Sequence, residues 1–250
     1  MNNKTIMITG ANGAIGSLIV KEYLERGYVV FALVHKDLRR IELLQKEYGD
    51  RLICRKCDLA NLAEVDSLFA ELSKSYGYIP NKMIHTSAVR SSDSKILTET
   101  DPKLWYSIIE MNIFACYNLL RNLLVHYQQS GGGKIVLIGS NISRTGLKNG
   151  SAYAVAKGAL TNLVRTIALE YGEDDIMINL VSPGAVNADQ SHFSKEYQEF
   201  RAGYFKKELQ NTPLKRLVEP LDVFHTCDFL LSDNNRSITG EEIFLTGGKL

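Results

Sequence analysis

Thr5-Ile6-Met7-Ile8-Thr9-Gly10-Ala11-Asn12-Gly13-Ala14-Ile15-Gly16 is the stretch that decides the fold of this 250-residue chain. Its first five residues form a short, largely apolar run that predicts a buried strand, and helical periodicity over about 14–26 predicts a helix directly after it. Glycines in the turn let a phosphate approach the backbone, and a helix N-terminus offers unpaired N–H groups to an anion. The stretch therefore predicts a strand, turn and helix that together bind a pyrophosphate.

The same alternation of apolar runs and helical segments continues along the chain. Further strands are predicted at 28–34, 51–57, 82–88, 133–139, 177–182 and 242–246. Runs such as Ile135-Val136-Leu137-Ile138 are apolar throughout, as in parallel strands that are covered on both faces. Because no segment has the composition of a linker, we expect an α/β fold with a doubly wound, Rossmann-like parallel sheet, in a single domain over residues 1–250.

Charge and hydropathy argue against several classes of protein. Lys and Arg number 29 against 28 Asp and Glu, so a net charge of +1 gives no broad attraction to nucleic acid or to an anionic membrane. No stretch approaches the roughly 20 consecutive apolar residues that span a bilayer. The N-terminal residues lack a small-residue cleavage signal. We expect a cytoplasmic protein that binds neither nucleic acid nor membrane.

The four cysteines leave two interpretations open. Cys54 and Cys57 form a C-x-x-C pattern, which could be a redox pair or half of a zinc site. In an extended strand, residues three apart point to opposite faces, and no second pair with zinc spacing occurs elsewhere. Free cysteines in a reducing compartment, with Cys116 and Cys227 among them, fit better, and no metal site is expected.

The end of the second predicted strand bears on the choice of dinucleotide. An acidic residue there binds the adenosine ribose hydroxyls and repels a 2′-phosphate. Val34 occupies that position, followed by His35 and Lys36. Lys36, Arg39 and Arg40 could meet a phosphate, or they could be the solvated basic start of a helix. We expect NADP as cofactor, with NAD as the alternative.

Tyr153 and Lys157 lie four residues apart at the start of a long helical pattern. That spacing places both side chains on one helix face. The pattern Y-x-x-x-K is common by chance, but Ser140 ends a predicted buried strand thirteen residues earlier, and a phosphate-binding turn lies upstream. An exposed helical pair and a strand-end hydroxyl would be the structural alternatives. Together the motifs favour an acid–base site.

In the order and spacing of these motifs, the chain resembles the short-chain dehydrogenase/reductase family over residues 5–248. The residues that carry the resemblance are the glycine turn, Asp58, Asn112, Ser140, Tyr153, Lys157, Pro183-Gly184, Thr239-Gly240 and Gly247-Gly248.

The resemblance implies hydride transfer between a nicotinamide and a carbonyl or secondary alcohol, such as a 3-oxoacyl thioester, a sugar derivative or another ketone. Tyr153 would donate a proton to the carbonyl oxygen, and Ser140 would hydrogen-bond the same oxygen. Lys157 would hold the nicotinamide ribose and stabilise the tyrosinate, and Asn112 would maintain a water path. A charge about 4 Å away contributes roughly 4 kcal/mol at an effective dielectric of about 20, enough to bring a tyrosine pKa from about 10 towards neutrality.

The resemblance also implies a set of cofactor-binding residues. They are Gly10, Asn12, Gly13, Ile15, Gly16, His35, Lys36, Asp58, Leu59, Ser87, Ala88, Tyr153, Lys157, Pro183, Gly184 and Val186.

Several residues depart from the family pattern. Ala14 stands where members of this length carry glycine, and Thr86-Ser87-Ala88-Val89 replaces the usual Asn-Asn-Ala-Gly. Ala188 stands where many relatives place a threonine that binds the nicotinamide. His85 could point into the cofactor cleft or be a packed strand residue. These departures affect the cofactor contacts and leave the proton-transfer residues intact.

Residues of about 187–213 lie where relatives carry a mobile substrate lid. Its aromatic residues could close over an apolar or ring-shaped substrate, or could only dock the lid helices; they are His192, Phe193, Tyr197, Phe200, Tyr204 and Phe205. Arg90, Arg144 and Lys148 could face an anionic substrate or be solvated loop charges.

Assembly and an alternative function are also expectations from the resemblance. The long helices that contain Asn112 and Tyr153 pair across subunits in many relatives, so a homo-oligomer, a tetramer or dimer, is expected. The alternative to an enzyme is a non-catalytic dinucleotide-sensing or partner-binding protein on the same fold. The presence of Ser140, Tyr153 and Lys157 together favours the enzyme, because a sensor needs no proton donor.

Overall fold

The computed structural model describes residues 4–90, 94–191 and 194–249. The strands are β1 Thr5–Thr9, β2 Val29–Val34, β3 Leu52–Lys56, β4 Lys82–His85, β5 Gly133–Ile138, β6 Ile176–Pro183 and β7 Glu242–Leu245. The helices are α1 Ala14–Glu25, α2 Arg39–Tyr48, α3 Leu62–Tyr76, α4 Pro102–Ile109, α5 Ala115–Ser130, α6 Ile142–Thr145, α7 Ser151–Tyr171, α8 Lys195–Asn211 and α9 Pro220–Leu231. A π-helical turn, Glu110–Phe114, joins α4 to α5.

The seven strands form one parallel sheet in the order β3-β2-β1-β4-β5-β6-β7, with helices on both faces. The predicted doubly wound α/β fold is therefore confirmed. The prediction for β4 was too long, because the strand ends at His85. Beyond it the Thr86 hydroxyl bonds to the carbonyl oxygen of Thr9 at 2.8 Å, and the chain leaves the sheet.

Apolar residues cover both faces of the sheet, which explains the continuous apolar runs. Along β1, Ile6 and Ile8 belong to the core beneath α1 and α9, whereas Met7 belongs to the core beneath α3 and α5. All three side chains are fully buried. Burial of each such side chain contributes about 1.5–3 kcal/mol to folding, so the alternation within β1 holds both helical layers on the sheet.

The strand order changes direction at the centre of the sheet. From β1, the chain proceeds outward through β2 and β3, and it then returns to place β4 on the other side of β1. Connections that diverge in this way open a crevice at the carboxyl ends of the two central strands. The turn after β1 and the segment after β4 both line that crevice.

The helical run Pro102–Ser130 is, by length and composition alone, long and apolar enough to cross a membrane. Its most apolar 18-residue segment has a mean hydropathy of 1.2, and half of that segment is buried inside the structure. Leu119 and Leu123 of α5 are fully buried in the core against the sheet. Packing of this kind accounts for the apolar composition of the run.

The four cysteines have free thiols. Burial raises the pKa of Cys57 to about 11, so this thiol is not ionised near neutral pH. Burial also raises the pKa of Cys116 to about 12. These residues pack as small apolar side chains, as the second interpretation of the C-x-x-C pattern requires.

Candidate active site

The glycine turn brings β1 and α1 unusually close to the segment after β4. Gly10 has a φ of +65°, which favours glycine, and a side chain there would meet the Ser87 backbone nitrogen at 2.7 Å. A methyl group on Gly16 would clash with the carbonyl oxygen of Gly10.

At the start of α1, the backbone N–H groups of Ala14, Ile15 and Gly16 donate to no other residue in the described part of the chain. The first turn of α1 carries no acidic residue. Free N–H groups at the positive end of a helix dipole suit a phosphate group, so the turn fits the pyrophosphate of a dinucleotide.

Thr86 supports this turn in the place where the family usually has asparagine. Its hydroxyl lies 2.8 Å from the carbonyl oxygen of Thr9 and 3.2 Å from that of Gly10, and it can donate to either. The backbone N–H of Thr86 also donates to Thr9. Thr86 was not among the predicted site residues, although its place in an altered family motif was a signal.

His85 is a packed strand residue. It is fully buried, and its Nδ1 lies 2.7 Å from the Thr9 hydroxyl. Burial, together with the charge of Lys157, lowers the pKa of His85 to about 3. The imidazole is therefore neutral across the physiological range, and it does not line either of the cavities described next.

A cavity of about 350 Å³ opens beside the glycine turn on the side of β2 and β3. Nine of the predicted cofactor-binding residues line it: Gly10, Asn12, Gly13, His35, Lys36, Asp58, Leu59, Ser87 and Ala88. The Asn12 side-chain oxygen accepts hydrogen bonds from the backbone N–H groups of Arg40 and Ile41, so Asn12 joins the turn to α2.

The basic residues beside this cavity differ in their partners. Arg39 forms an ion pair with Asp37, with a shortest distance of 2.7 Å. Arg40 forms an ion pair with Asp189. Lys36 has neither a hydrogen bond nor an ion pair to any residue within 4–90, 94–191 and 194–249. Asp37 also lines the cavity. It was not predicted, because its carboxylate lies three residues beyond the end of β2, where an acidic residue usually selects the cofactor.

A second cavity, of about 460 Å³, continues from the first. Gly13, Ala14, Thr86 and Ala88 line both cavities, so the two form one cleft. The predicted residues that line the second cavity are Gly13, Ile15, Gly16, Ala88, Ser140, Tyr153, Lys157, Pro183, Gly184 and Val186. Every predicted site residue except Asn112 thus lines this cleft, although the residues come from seven parts of the chain.

Tyr153 and Lys157 lie one turn apart on α7, and both are buried. The Lys157 Nζ donates a 2.8 Å hydrogen bond to the carbonyl oxygen of Ile138, and it lies 5.7 Å from the centroid of the Tyr153 ring. Burial lowers the pKa of Lys157 to about 8. Ser140 lies two residues beyond the end of β5, where its hydroxyl oxygen is 3.4 Å from the Ile142 backbone nitrogen.

The pKa of Tyr153 is not lowered, although the charge of Lys157 was expected to lower it. Burial raises the pKa of Tyr153 above its ordinary value, and the charge of Arg90 opposes that shift. The prediction of a pKa near neutrality for Tyr153 was wrong, because loss of hydration outweighs the nearby positive charge. Tyr153 is consequently a protonated phenol at neutral pH.

Asn112 lies behind the cleft, within the π-helical turn. Its side-chain nitrogen donates to the carbonyl oxygens of Ile108, at 2.7 Å, and Val89, at 2.9 Å, while its side-chain oxygen accepts from the Val89 N–H. The side chain is 3% exposed. Asn112 therefore fixes the segment that follows β4, and π-helical turns of this kind are frequent at functional sites.

The predicted lid is partly described. His192 and Phe193 lie outside the described residues. Tyr204 of α8 lines the second cavity, whereas the Phe200 ring is largely exposed. Arg90 lines the same cavity, but Arg144 packs on the Phe244 ring away from it, and Lys148 is exposed.

Comparison with known proteins gives consistent relatives along nearly the whole chain. A 3-oxoacyl-[acyl-carrier-protein] reductase of Mus musculus is 28% identical and aligns over 98% of both chains. A 3alpha-hydroxysteroid dehydrogenase of Mediterraneibacter gnavus is 26% identical over 99% of this chain and 97% of its own. The NADPH-bound structure of a Tyr-to-Phe variant of ElxO superposes with a TM-score of 0.87 at 26% identity, covering 98% of each chain.

A family model described as enoyl-(acyl carrier protein) reductase matches residues 10–249. That range includes the glycine turn, the cleft and the Tyr153–Lys157 pair. The chain belongs to this family of short-chain dehydrogenases/reductases.

Proposed function

We propose that this protein is a cytoplasmic, NADP-preferring oxidoreductase that interconverts a ketone and a secondary alcohol. The observation that carries the proposal is the placement of Ser140, Tyr153 and Lys157 in a cavity that is continuous with the glycine turn. A dinucleotide held by its phosphates at Gly13–Gly16 would extend along this cleft towards Tyr153. The four free cysteines suit a reducing compartment.

Tyr153 acts as the proton donor in the reducing direction. Its raised pKa keeps the phenol protonated at neutral pH, so a proton is available for the carbonyl oxygen of a substrate. When bound in the cleft, a nicotinamide would supply the hydride for the carbonyl carbon. Ser140 donates a hydrogen bond to the same oxygen and orients the carbonyl. These roles need both hydroxyl groups on one side of the second cavity.

Lys157 stabilises the anion that forms when the Tyr153 proton departs. With a pKa of about 8, its amine is mostly protonated at neutral pH, and the bond to Ile138 holds it beside the ring. Two further ammonium hydrogens are available for the nicotinamide ribose. Asn112 acts as a positioning residue, and we propose that it also borders the water path that reprotonates the tyrosine.

Lys36 supports the preference for NADP. Its ammonium group lines the adenosine end of the cleft and has no partner among the described residues, so it is available to a 2′-phosphate. Arg39 contributes less, because Asp37 neutralises it. The structural relative with bound NADPH agrees with this choice.

The assembly we propose is a homo-oligomer, a dimer or tetramer. Large apolar side chains are exposed along α4, the π-helical turn and α5, where Tyr106 is 67%, Phe114 54% and Tyr117 54% exposed. An apolar strip of this kind is typical of a surface that a second subunit covers. Light scattering coupled to size-exclusion chromatography measures the assembly.

A carbonyl panel tests the proposed function. The panel contains aliphatic ketones, 3-oxoacyl thioesters, keto sugars and ketosteroids, each incubated with NADPH and with NADH while the loss of reduced cofactor is followed. We expect turnover of at least one ketone, faster with NADPH, and none in Tyr153→Phe. Cofactor binding without turnover of any ketone would favour the non-catalytic dinucleotide sensor instead.

A further inference from the structure

The second cavity carries an excess of positive charge. Among the described residues, four cationic side chains line it, Arg90, Lys157, Arg201 and Lys249, against one carboxylate, Glu208. Lys249 forms an ion pair with Glu208 at 2.7 Å, so those two charges cancel. Lys157 is held by Ile138 beside Tyr153. Within the part of the chain that the structure describes, the guanidinium groups of Arg90 and Arg201 are left without an opposite charge.

Arg90 lies next to the proton donor. Its guanidinium carbon is 5.2 Å from the centroid of the Tyr153 ring. The part of the chain that the structure describes gives Arg90 neither a hydrogen bond nor an ion pair. Asn112 holds the adjacent Val89 by two hydrogen bonds to its backbone, so the backbone that carries Arg90 is fixed in place.

Arg201 reaches the same cavity from α8. Its guanidinium carbon lies 4.5 Å from the Phe205 ring centroid and 5.2 Å from that of Tyr204. Its Nε is buried and has no hydrogen-bond partner among residues 4–90, 94–191 and 194–249. Burial and the charge of Arg90 lower the pKa of Arg201. An unpartnered charged donor beside a like charge is unfavourable, and an anion between the two guanidinium groups would relieve both costs.

We infer that Arg90 and Arg201 form a two-arginine site for an anionic group of the substrate, a carboxylate or a phosphate on the molecule that carries the reacting carbonyl. The inference rests on the proposed function, because it assigns the anion to the molecule on which Tyr153 acts. The phosphates of the proposed cofactor would have their own partners at the glycine turn and Lys36. Guanidinium groups match carboxylate and phosphate oxygens in a bidentate manner, which suits both anions.

Matched ligand pairs test the inference without requiring turnover. Wild-type protein saturated with NADP⁺ is titrated calorimetrically with levulinate and methyl levulinate, and with dihydroxyacetone phosphate and dihydroxyacetone. We expect the anion of at least one pair to bind about tenfold or more tightly than its neutral partner, as charge-assisted hydrogen bonds would give. The pair that shows the preference identifies the anion as carboxylate or phosphate.

Variants assign the preference to the two arginines. Arg90→Gln and Arg201→Gln should each reduce the anion preference to about threefold or less, with little change for the neutral ligands. Arg201→Lys keeps the charge and should retain part of the preference, which covers the case in which Arg201→Gln fails to fold. Arg236→Gln removes an exposed arginine outside the cavity and should match the wild type.

Two results would overturn the inference: equal binding of the anionic and neutral members of both pairs by the wild type, or an unchanged preference in Arg90→Gln and Arg201→Gln. These results are independent of the proposed function. Tyr153-dependent reduction of neutral ketones without any anion preference would leave the oxidoreductase intact and overturn the two-arginine site. Anion preference without reduction of any ketone would support the two-arginine site and contradict the proposed oxidoreductase.

Discussion

The Lys157 Nζ is anchored to the carbonyl oxygen of Ile138 by a 2.8 Å hydrogen bond. Ile138 is the last residue of β5, and Ser140 follows it by two positions. The same strand end therefore anchors the Lys157 ammonium group and carries Ser140, and both residues line the cavity that Tyr153 lines. Fully buried, the ammonium group has lost its hydration, which is why its pKa lies near 8.

The lowered pKa of Lys157 predicts a specific pH dependence of stability. Unfolded lysine, with an ordinary pKa of 10.5, binds a proton between pH 8 and 10.5, whereas the folded residue has already released it. The free energy of unfolding should therefore rise with pH across that window, by up to about 3 kcal/mol in total. Below pH 8 the buried charge destabilises the fold.

Urea unfolding of the wild type and Lys157→Met, measured from about pH 7 to 10, isolates this contribution. The difference in unfolding free energy should move in favour of the wild type as the pH rises. Parallel pH profiles for the two proteins would show that the Lys157 pKa is not lowered by burial.

The close approach at Gly16 predicts that a single methyl group impairs both folding and cofactor binding. In Gly16→Ala the new methyl would meet the Gly10 carbonyl oxygen and lie 2.9 Å from the Thr86 hydroxyl oxygen. We expect a loss of about 1–3 kcal/mol in unfolding free energy and a weaker dinucleotide affinity, both measured on the purified variant.

Gly172→Ala is the matched control for that variant. Gly172 has a φ of −63°, and no atom of the described residues lies within 4 Å of a methyl group placed there. Its stability should equal or exceed that of the wild type by up to about 1 kcal/mol. Equal behaviour of the two alanine variants would contradict the tight geometry of the turn.

The hydrogen bonds of Asn112 predict a positioning role. Asn112→Ala removes three hydrogen bonds, two to the backbone of Val89 and one to the Ile108 carbonyl oxygen, which should lower the unfolding free energy by about 1–3 kcal/mol. Because Val89 precedes Arg90, kcat/KM for the ketone should fall while the dissociation constant of NADPH changes little. Asn162→Ala, at an exposed site on α7, should leave both unchanged.

Lys36 predicts the direction of a change in cofactor preference. Lys36→Ala should weaken NADPH binding about tenfold and leave NADH binding within about twofold, because only NADPH carries the 2′-phosphate. Val34→Asp should also shift the preference towards NADH. Lys74→Ala, at an exposed position on α3, is the control. Equal losses for the two cofactors in Lys36→Ala would refute the assignment of the phosphate site.

The strands and the parallel sheet were predictable from the sequence because their signals are local. The apolar runs that alternate with helical segments indicate strands that are buried on both faces of a sheet. The glycine turn indicates a position that needs a positive φ, which Gly10 has. Tyr153, Lys157 and Ser140 were predictable through their order and spacing.

Other features depend on which side chains meet in the folded chain. The pairing of Arg39 with Asp37 was not anticipated, although the two residues are only two positions apart, because a sequence does not show which charges meet. The approach of Arg201 to Arg90 depends on how α8 packs over the cleft. The Thr86 hydroxyl bonds to the backbone carbonyl oxygen of Thr9, and a bond to the backbone requires no particular residue type that a sequence pattern could show. The pKa of Tyr153 required the extent of its burial.

The rate of ketone reduction by Tyr153→Phe tests the central claim most directly. The substitution removes one hydroxyl group from a buried ring, so NADPH should bind with an affinity within about threefold of the wild type, while the reduction rate should fall by about a hundredfold or more. That combination would identify Tyr153 as the proton donor. A variant that reduces the ketone at the wild-type rate would contradict the account.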